Sequence, residues 1–273
     1  MGNQAIQQIP VSPRRSRTYN MFTVLGVRID AVQIPDVVAL MEHWILDRDT
    51  CHFIAVTGMH GITEAQHDPW FKKILNFADL VVPDGMPLVW LGRRHGHPLK
   101  RRVYGPELME TFCSATGSMY RHFLFGGMPG VAASLGKVLN EKYKINVVGD
   151  YSPPFRSLSN EEDEEILAII RAAKPDVLWV GLSTPKQERW MYEHRPKLHV
   201  PVVLGVGAAF NLVTGRSAQA PRWMRERGLE WSFRLLQEPR RLWRRYIIYG
   251  SEFVWNVALE LLSLRKFNGQ TKN

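Results

Sequence analysis

An α/β fold is predicted, with a largely parallel sheet flanked by helices and a basic helical appendage at the C-terminal end. Three observations predict it. From about Met21 short apolar runs alternate with amphipathic stretches, the pattern of strands that cross over through helices. Leu80-Val81-Val82 runs straight into Pro83-Asp84-Gly85, which sets a carboxylate at a strand's carboxyl end, the edge where open α/β sheets bind ligands. Charge is also concentrated: the 273 residues carry a net +9, and eight arginines lie between Arg222 and Arg245 against three glutamates.

Residues 1–20 hold Arg14, Arg15 and Arg17 among Gln, Pro and Ser without the apolar core of a signal peptide, and are expected to be a disordered tail. Ile6 stands where a myristoylation signal after Gly2 needs Ser or Thr. A core follows over residues 21–215. Its strands are expected near Phe22 to Val27, His52 to Val56, Leu80 to Val82, His122 to Phe125, Val177 to Val180 and Val202 to Val206. Helices fill the gaps. Ile34-Pro35-Asp36 opens one through Trp44, Asp68-Pro69-Trp70 opens another with Asp as cap and Pro at the first position, and Ser159-Asn160-Glu161-Glu162 caps a third. The acidic run Glu161 to Glu165 is then a dipole-favoured first turn.

A chain that is 45% hydrophobic is not disordered over most of its length. Cys51 and Cys113 sit in apolar runs without CxxC spacing, as buried thiols of a reducing compartment do. The longest apolar runs fall far short of the roughly 20 residues that span a bilayer. Asp47-Arg48-Asp49 has the form of a metal-binding DxD, but it ends a helix before a strand and reads as a solvated helix end; no metal ligand set is expected.

An Asp-Gly turn alone is equally a structural device. Other junctions add weight at Asp84. Thr57-Gly58-Met59-His60-Gly61 follows the His52 to Val56 strand with a hydroxyl, two glycines and an imidazole. Lys100-Arg101-Arg102-Val103-Tyr104-Gly105-Pro106-Glu107 is a basic cluster entering a Pro-started helix, suited to clamping a diphosphate. Gly126-Gly127-Met128-Pro129-Gly130 is a glycine turn before a helix, where backbone amides can hold an anion; it lacks the P-loop Lys-Ser/Thr pair, which disfavours an ATPase. Thr184, Pro185 and Gln187 fit a capping box, within a polar run that directly follows a buried-looking strand. Gly205-Val206-Gly207-Ala208-Ala209-Phe210-Asn211 is a near-miss of the dinucleotide fingerprint, with Phe in the third glycine's place. The core so described is Rossmann-like.

In this order PDG at Pro83, R-V-x-G at Arg102, LFGG-x-PG at Leu124, PKQE at Pro185, GVGAAF at Gly205, and the stretch from Ala220-Pro221 through Gly228-Leu229-Glu230-Trp231 and Arg234-Leu235 to Glu238-Pro239 resemble the WecG/TagA/CpsF family of glycosyltransferases. The likeness covers about Phe22 to Tyr249. It implies inverting transfer of a sugar from a UDP-sugar to a polyprenyl-diphosphate-linked saccharide, on the cytoplasmic face of a bacterial inner membrane, in exopolysaccharide or cell-surface polysaccharide synthesis. The protein would be peripheral, with no cofactor and no obligatory metal. Asp84 would be the general base, and Arg102 would offset diphosphate charge. Thr57, Gln187, Asn211, Gly126 and Gly127 would line the substrate site. Met59 and Asn211 depart from the Asn and Asp common in the family, which leaves the donor open among an N-acetylmannosamine type, glucose or another hexose.

Residues 216–273 form the appendage. From Arg240 onward, at about 100° per residue, Leu242, Tyr246, Phe253 and Val257 share an arc extended by Trp243 and Ile247, with Arg240, Arg241, Arg244 and Arg245 assigned to the opposing arc. Such a helix suits an anionic membrane surface, and Arg240, Arg241, Trp243, Arg244 and Arg245 are the membrane-associating candidates. The alternative is an amphipathic helix packed on its own core. No recognition motif accompanies the arginines, so a nucleic-acid partner is not expected; a homo-oligomer is left open. The competing functions are a soluble nucleotide-cofactor enzyme such as a dehydrogenase and a non-catalytic membrane-bound scaffold.

Overall fold

The computed structural model describes residues 19–267. The expected disordered tail falls outside these residues save for Tyr19 and Asn20. The chain opens with β1 (Met21–Val24) and β2 (Val27–Asp30), an antiparallel hairpin apart from the main sheet. The expected single strand over 22–27 is therefore corrected. Leu25 and Gly26 both adopt positive φ, the geometry of a two-residue hairpin turn, and Leu25 is a buried core residue despite its turn position.

The main sheet uses β3 (His52–Thr57), β4 (Leu80–Pro83), β5 (Arg121–Gly126), β6 (Asn146–Tyr151), β7 (Val177–Gly181) and β8 (Val202–Gly205). They pair in parallel in the order β4-β3-β8-β7-β5-β6. Strand β6 is absent from the sequence-based expectation. It is a half-exposed edge strand paired only with β5, and Asn146, Gly149 and Asp150 interrupt its apolar pattern.

Alternating side chains divide the core between the two faces. Phe53, Ala55, Val81, Phe123 and Val180 point to one face, under α2 (Met59–His67), α3 (Pro69–Phe77), α4 (Met86–Arg94), α7 (Asn160–Ala173) and α8 (Lys186–Leu198). Ile54, Val56, Val82, Leu124 and Trp179 point to the other, under α1 (Ile34–Asp47), α5 (Gly105–Thr116), α6 (Val131–Tyr143) and α9 (Ala209–Val213). The expected caps form: Asp68 Oδ1 accepts from Trp70 N and Phe71 N, and Ser159 and Glu162 close a capping box. Both cysteines are buried, and burial pushes each thiol up to about 12.

The appendage comprises α10 (Arg222–Glu226), α11 (Glu230–Gln237), α12 (Pro239–Trp243), a π turn over Arg244–Ile248, and α13 (Tyr249–Leu261). Helix α13 returns to pack on α2. Thr63 Oγ1 donates to the Tyr249 carbonyl at 3.3 Å, His60 and His67 stack on the Tyr249 ring, and Glu260 accepts from Leu25 N. Leu242 and Phe253 are each only 3% exposed, so this part of the arc expected to meet a membrane packs on the protein's own core, while its extension, Trp243 and Ile247, stays exposed. Trp243, Ile247, Ile248, Val254 and Trp255 are among the exposed apolar residues of this region. No helix of the described residues is long and apolar enough to cross a membrane.

Candidate active site

The loops that follow β3, β4, β7 and β8 converge on a cavity of about 790 Å³, which the appendage covers from above. Its floor is set by the turn after β4. Asp84 N donates to the Thr57 carbonyl at 2.8 Å, and a Cβ on Gly58 would lie 2.3 Å from the Asp84 carbonyl oxygen. Glycine at position 58 therefore allows the two strand ends to close on one another. Thr57 lies just beneath the lining, 1% exposed, and positions Asp84 through its backbone.

Burial pushes the Asp84 carboxyl up to about 6, with Glu230 adding to the effect while Arg102, Arg245 and Arg234 oppose it. A carboxylate poised there is matched to proton abstraction near neutral pH. Its nearest cation is Arg102, at 3.9 Å. Burial works against the charged Arg102, and Asp84 and Glu230 more than compensate, so its pKa is raised. The guanidinium lies 4.0 Å over the Tyr104 ring and pairs with Glu230, which also accepts from the Tyr104 hydroxyl at 3.0 Å.

Among the described residues, five arginines line the cavity (Arg102, Arg227, Arg234, Arg241 and Arg245) against two carboxylates, Asp84 and Glu230. That excess of three positive charges complements a diphosphate. Four of the five come from the appendage. Arg241 and Arg245 were both expected on the outward arc, and the structure corrects this, since both line the cavity. Arg245 lies three residues after the buried Leu242 and four after Arg241, which puts the two arginines on one helix face. His60 also lines the cavity, where burial and then Arg245 push its imidazole down to about 3 and keep it neutral. Among the described residues, Thr57 Oγ1, His60 Nδ1, Asp84 Oδ1, Glu188 Oε2 and Arg245 Nε are buried atoms without a hydrogen-bond partner. They gather at this one end of the sheet, and those of His60, Asp84 and Arg245 belong to residues that line the cavity, where a ligand can satisfy them.

Gln187 lines the cavity, but not through a capping box. The helix begins at Lys186 with Pro185 as cap, and the Gln187 amide turns inward, accepting from Gly207 N at 3.1 Å. Gly126 and Gly127 do not line the cavity: a Cβ on Gly126 would lie 2.6 Å from the Gly181 backbone, and Gly127 N donates to the Gly181 carbonyl. Their glycines serve close approach of the turn after β5 to β7. Asn211 lies on α9 beside the lining residues Ala208, Ala209 and Leu212 without lining the cavity itself. Arg240, Trp243 and Arg244 are exposed. Glu230, Arg234 and Tyr246 complete the site and were not among the expected site residues. Glu230 and Arg234 carried a signal, as members of the GLEW and Arg-Leu pieces of the family stretch.

The profile of the Glycosyl transferase WecG/TagA/CpsF family matches residues 22–267. The chain belongs to this family. It is a glycosyltransferase, which removes the dehydrogenase alternative. A Bacillus spizizenii protein named N-acetylglucosaminyldiphosphoundecaprenol N-acetyl-beta-D-mannosaminyltransferase is 29% identical over 217 residues, 79% of this chain and 82% of the relative. A Staphylococcus aureus protein of the same name is 28% identical over 223 residues, 81% and 86% of the two chains. The transferase thus carries the family match across both the sheet core and the appendage that lids its cavity.

Proposed function

We propose that this glycosyltransferase moves a hexose, of the N-acetylmannosamine type, glucose or another, from a UDP-sugar to a polyprenyl-diphosphate-linked saccharide in bacterial surface polysaccharide synthesis. The carrying observation is a carboxyl pushed up to about 6 on the floor of a cavity lined by five arginines. Asp84 takes the proton of the acceptor hydroxyl as its oxygen attacks the anomeric carbon from the face opposite the leaving group. The bond from that carbon to the UDP oxygen breaks, and the configuration inverts. The arginines meet the charge that develops on the departing diphosphate, a role that several fixed guanidinium groups can fill without an obligatory metal. The relatives' names, which specify an undecaprenol-diphosphate acceptor, support the lipid-linked class of acceptor.

A lipid-linked acceptor requires the enzyme at a bilayer surface, and the reading places it peripherally on the cytoplasmic face. Trp243 at 48% and Trp255 at 66% exposure, with Ile247, Ile248 and Val254, flank exposed Arg240 and Arg244. Aromatic and aliphatic groups beside arginines suit an anionic interface.

The test is transfer from a panel of UDP-sugars to a polyprenyl-diphosphate-sugar, with and without EDTA, in wild type and Asp84→Asn. Product that persists in EDTA and disappears in the variant supports the reading and identifies the donor. Equal activity in Asp84→Asn removes Asp84 from the chemistry and favours neither residue nor pocket as assigned.

A further inference from the structure

Glu188 follows Gln187 on α8 and is fully buried, yet it does not line the cavity. Its Oε1 accepts two hydrogen bonds, from Thr184 Oγ1 at 2.7 Å and from Gln187 Nε2 at 3.0 Å. The other end of the Gln187 amide accepts from Gly207 N at 3.1 Å. The carboxamide is therefore held at both ends, and one orientation alone satisfies them. Flipped, its NH₂ group would face the Gly207 N–H and its oxygen would face the Glu188 carboxylate. Glycine at position 205 leaves room for the amide there, because a Cβ would lie 2.6 Å from Gln187 Nε2.

Thr184 and Gln187 both line the cavity. With the Thr184 hydrogen committed to Glu188, that hydroxyl offers the cavity oxygen lone pairs, and Gln187 keeps one uncommitted N–H. Burial raises the Glu188 pKa against the hydrogen bonds from Thr184 and Gln187, but an Oε1 acceptor persists in either protonation state. A buried carboxylate is a costly element where an apolar side chain would pack as well, so its presence calls for something that it orients.

We propose that Glu188 is a positioning residue of the transfer reaction: through Gln187 and Thr184 it fixes which hydrogen-bond donors and acceptors the cavity wall presents to the sugar nucleotide. This rests on the transferase reading of the cavity. Glu188 itself touches no substrate.

The test compares Glu188→Leu, which removes the acceptor, with Glu188→Gln, which keeps an acceptor oxygen at the same reach. In ¹⁵N-correlated NMR spectra of the full chain, the Gln187 side-chain NH₂ pair, assigned by its loss in Gln187→Glu, should be dispersed and slow to exchange. Glu188→Leu should collapse it and Glu188→Gln should retain it. With the UDP-sugar that the panel identifies, kcat/KM should fall about tenfold or more in Glu188→Leu, chiefly through donor KM, and Glu188→Gln should recover most of that loss. In a Gln187→Ala background Glu188→Leu should cost clearly less than it does in wild type, because part of its effect runs through Gln187 and only the Thr184 contact remains to be lost. Should Glu188→Leu not fold, Glu188→Asp withdraws the same acceptor by one methylene and gives the same readings. An NH₂ pair untouched by removal of the acceptor, additive losses in the double variant, or a Glu188→Gln as impaired as Glu188→Leu would each overturn the proposal. A wild type that transfers from no donor overturns the transferase reading instead, while the amide spectrum still decides the role of Glu188.

Discussion

Glu230, carried by the appendage, pairs with Arg102 of the core, and Arg102 stands 3.9 Å from Asp84. One buried contact thus joins the closure of the cavity to the electrostatics of its base. Replacing Glu230 by Ala leaves Arg102 with only the longer contact to Asp84 and should destabilise the fold by about 3 kcal/mol, as breaking a buried pair does. It also removes a negative charge that raises the Asp84 pKa, so the acid limb of the rate profile should move to lower pH as overall activity falls. Thermal denaturation and a pH–rate series check both.

Asp84→Asn should lower kcat by roughly 10²–10⁴ with the fold retained. In wild type, kcat/KM should rise with pH through about 6 and level off above it, since the base must be ionised. The linkage runs the other way for stability. A carboxyl whose folded pKa is raised above 3.8 stabilises the fold below that value and loses this contribution as pH climbs to about 6. At pH 7.5 the Asn variant should therefore be the more stable, by at most about 3 kcal/mol, in a denaturant titration.

Gly58→Ala tests placement of the base without touching its chemistry. The added methyl meets the Asp84 carbonyl oxygen at 2.3 Å, so the turn must shift. Activity should drop on the order of tenfold or more through kcat, with the acid limb still near its wild-type position; an unaltered kcat would show that the turn yields without moving the carboxylate.

His122 is fully buried and accepts from Trp179 Nε1 at 3.0 Å, and burial pushes its imidazole down to about 4. The unfolded chain protonates near 6.5 and the folded one does not, so unfolding free energy should fall as pH drops from about 6.5 to 4, by about 3 kcal/mol. His122→Leu should be less stable at neutral pH, because Trp179 loses its acceptor, and should lack this component of the decline. Urea titrations at several pH values separate the two variants.

Trp243→Ser with Ile248→Ser, or Arg240→Glu with Arg244→Glu, alters exposed residues outside the cavity lining. Each pair should weaken sedimentation with anionic vesicles by roughly tenfold or more, the charge pair with the steeper salt dependence. Transfer to a short-chain soluble acceptor should be preserved in both.

Much of this was legible in the sequence, because it is carried by local rules. Asp84 could be placed from the strand-proline-aspartate-glycine order alone, and the Asp68 and Ser159 caps from their spacing. Strand β6 was not legible, since an edge strand needs no continuous apolar run, and the β1–β2 hairpin was read as one strand because its turn begins with an apolar residue, Leu25. Gln187 lines the cavity but was assigned the wrong partner: capping is a local relation, whereas the Gly207 amide comes from another strand's end.

The appendage marks the division most clearly. By itself the sequence determined that arginines crowd residues 222–245 and that an apolar arc recurs at helical spacing, for these depend on composition and on a period of 3.6 residues. Only the tertiary structure decided which way that arc turns. Once α13 packs on α2, Leu242 and Phe253 of the apolar arc are buried, and Arg234, Arg241 and Arg245 line the cavity that holds Asp84 while Arg240 and Arg244 stay in solvent. A helical wheel orders side chains relative to one another, but their orientation toward a core or a membrane is set by burial against residues nearly 200 positions away, which no local pattern encodes.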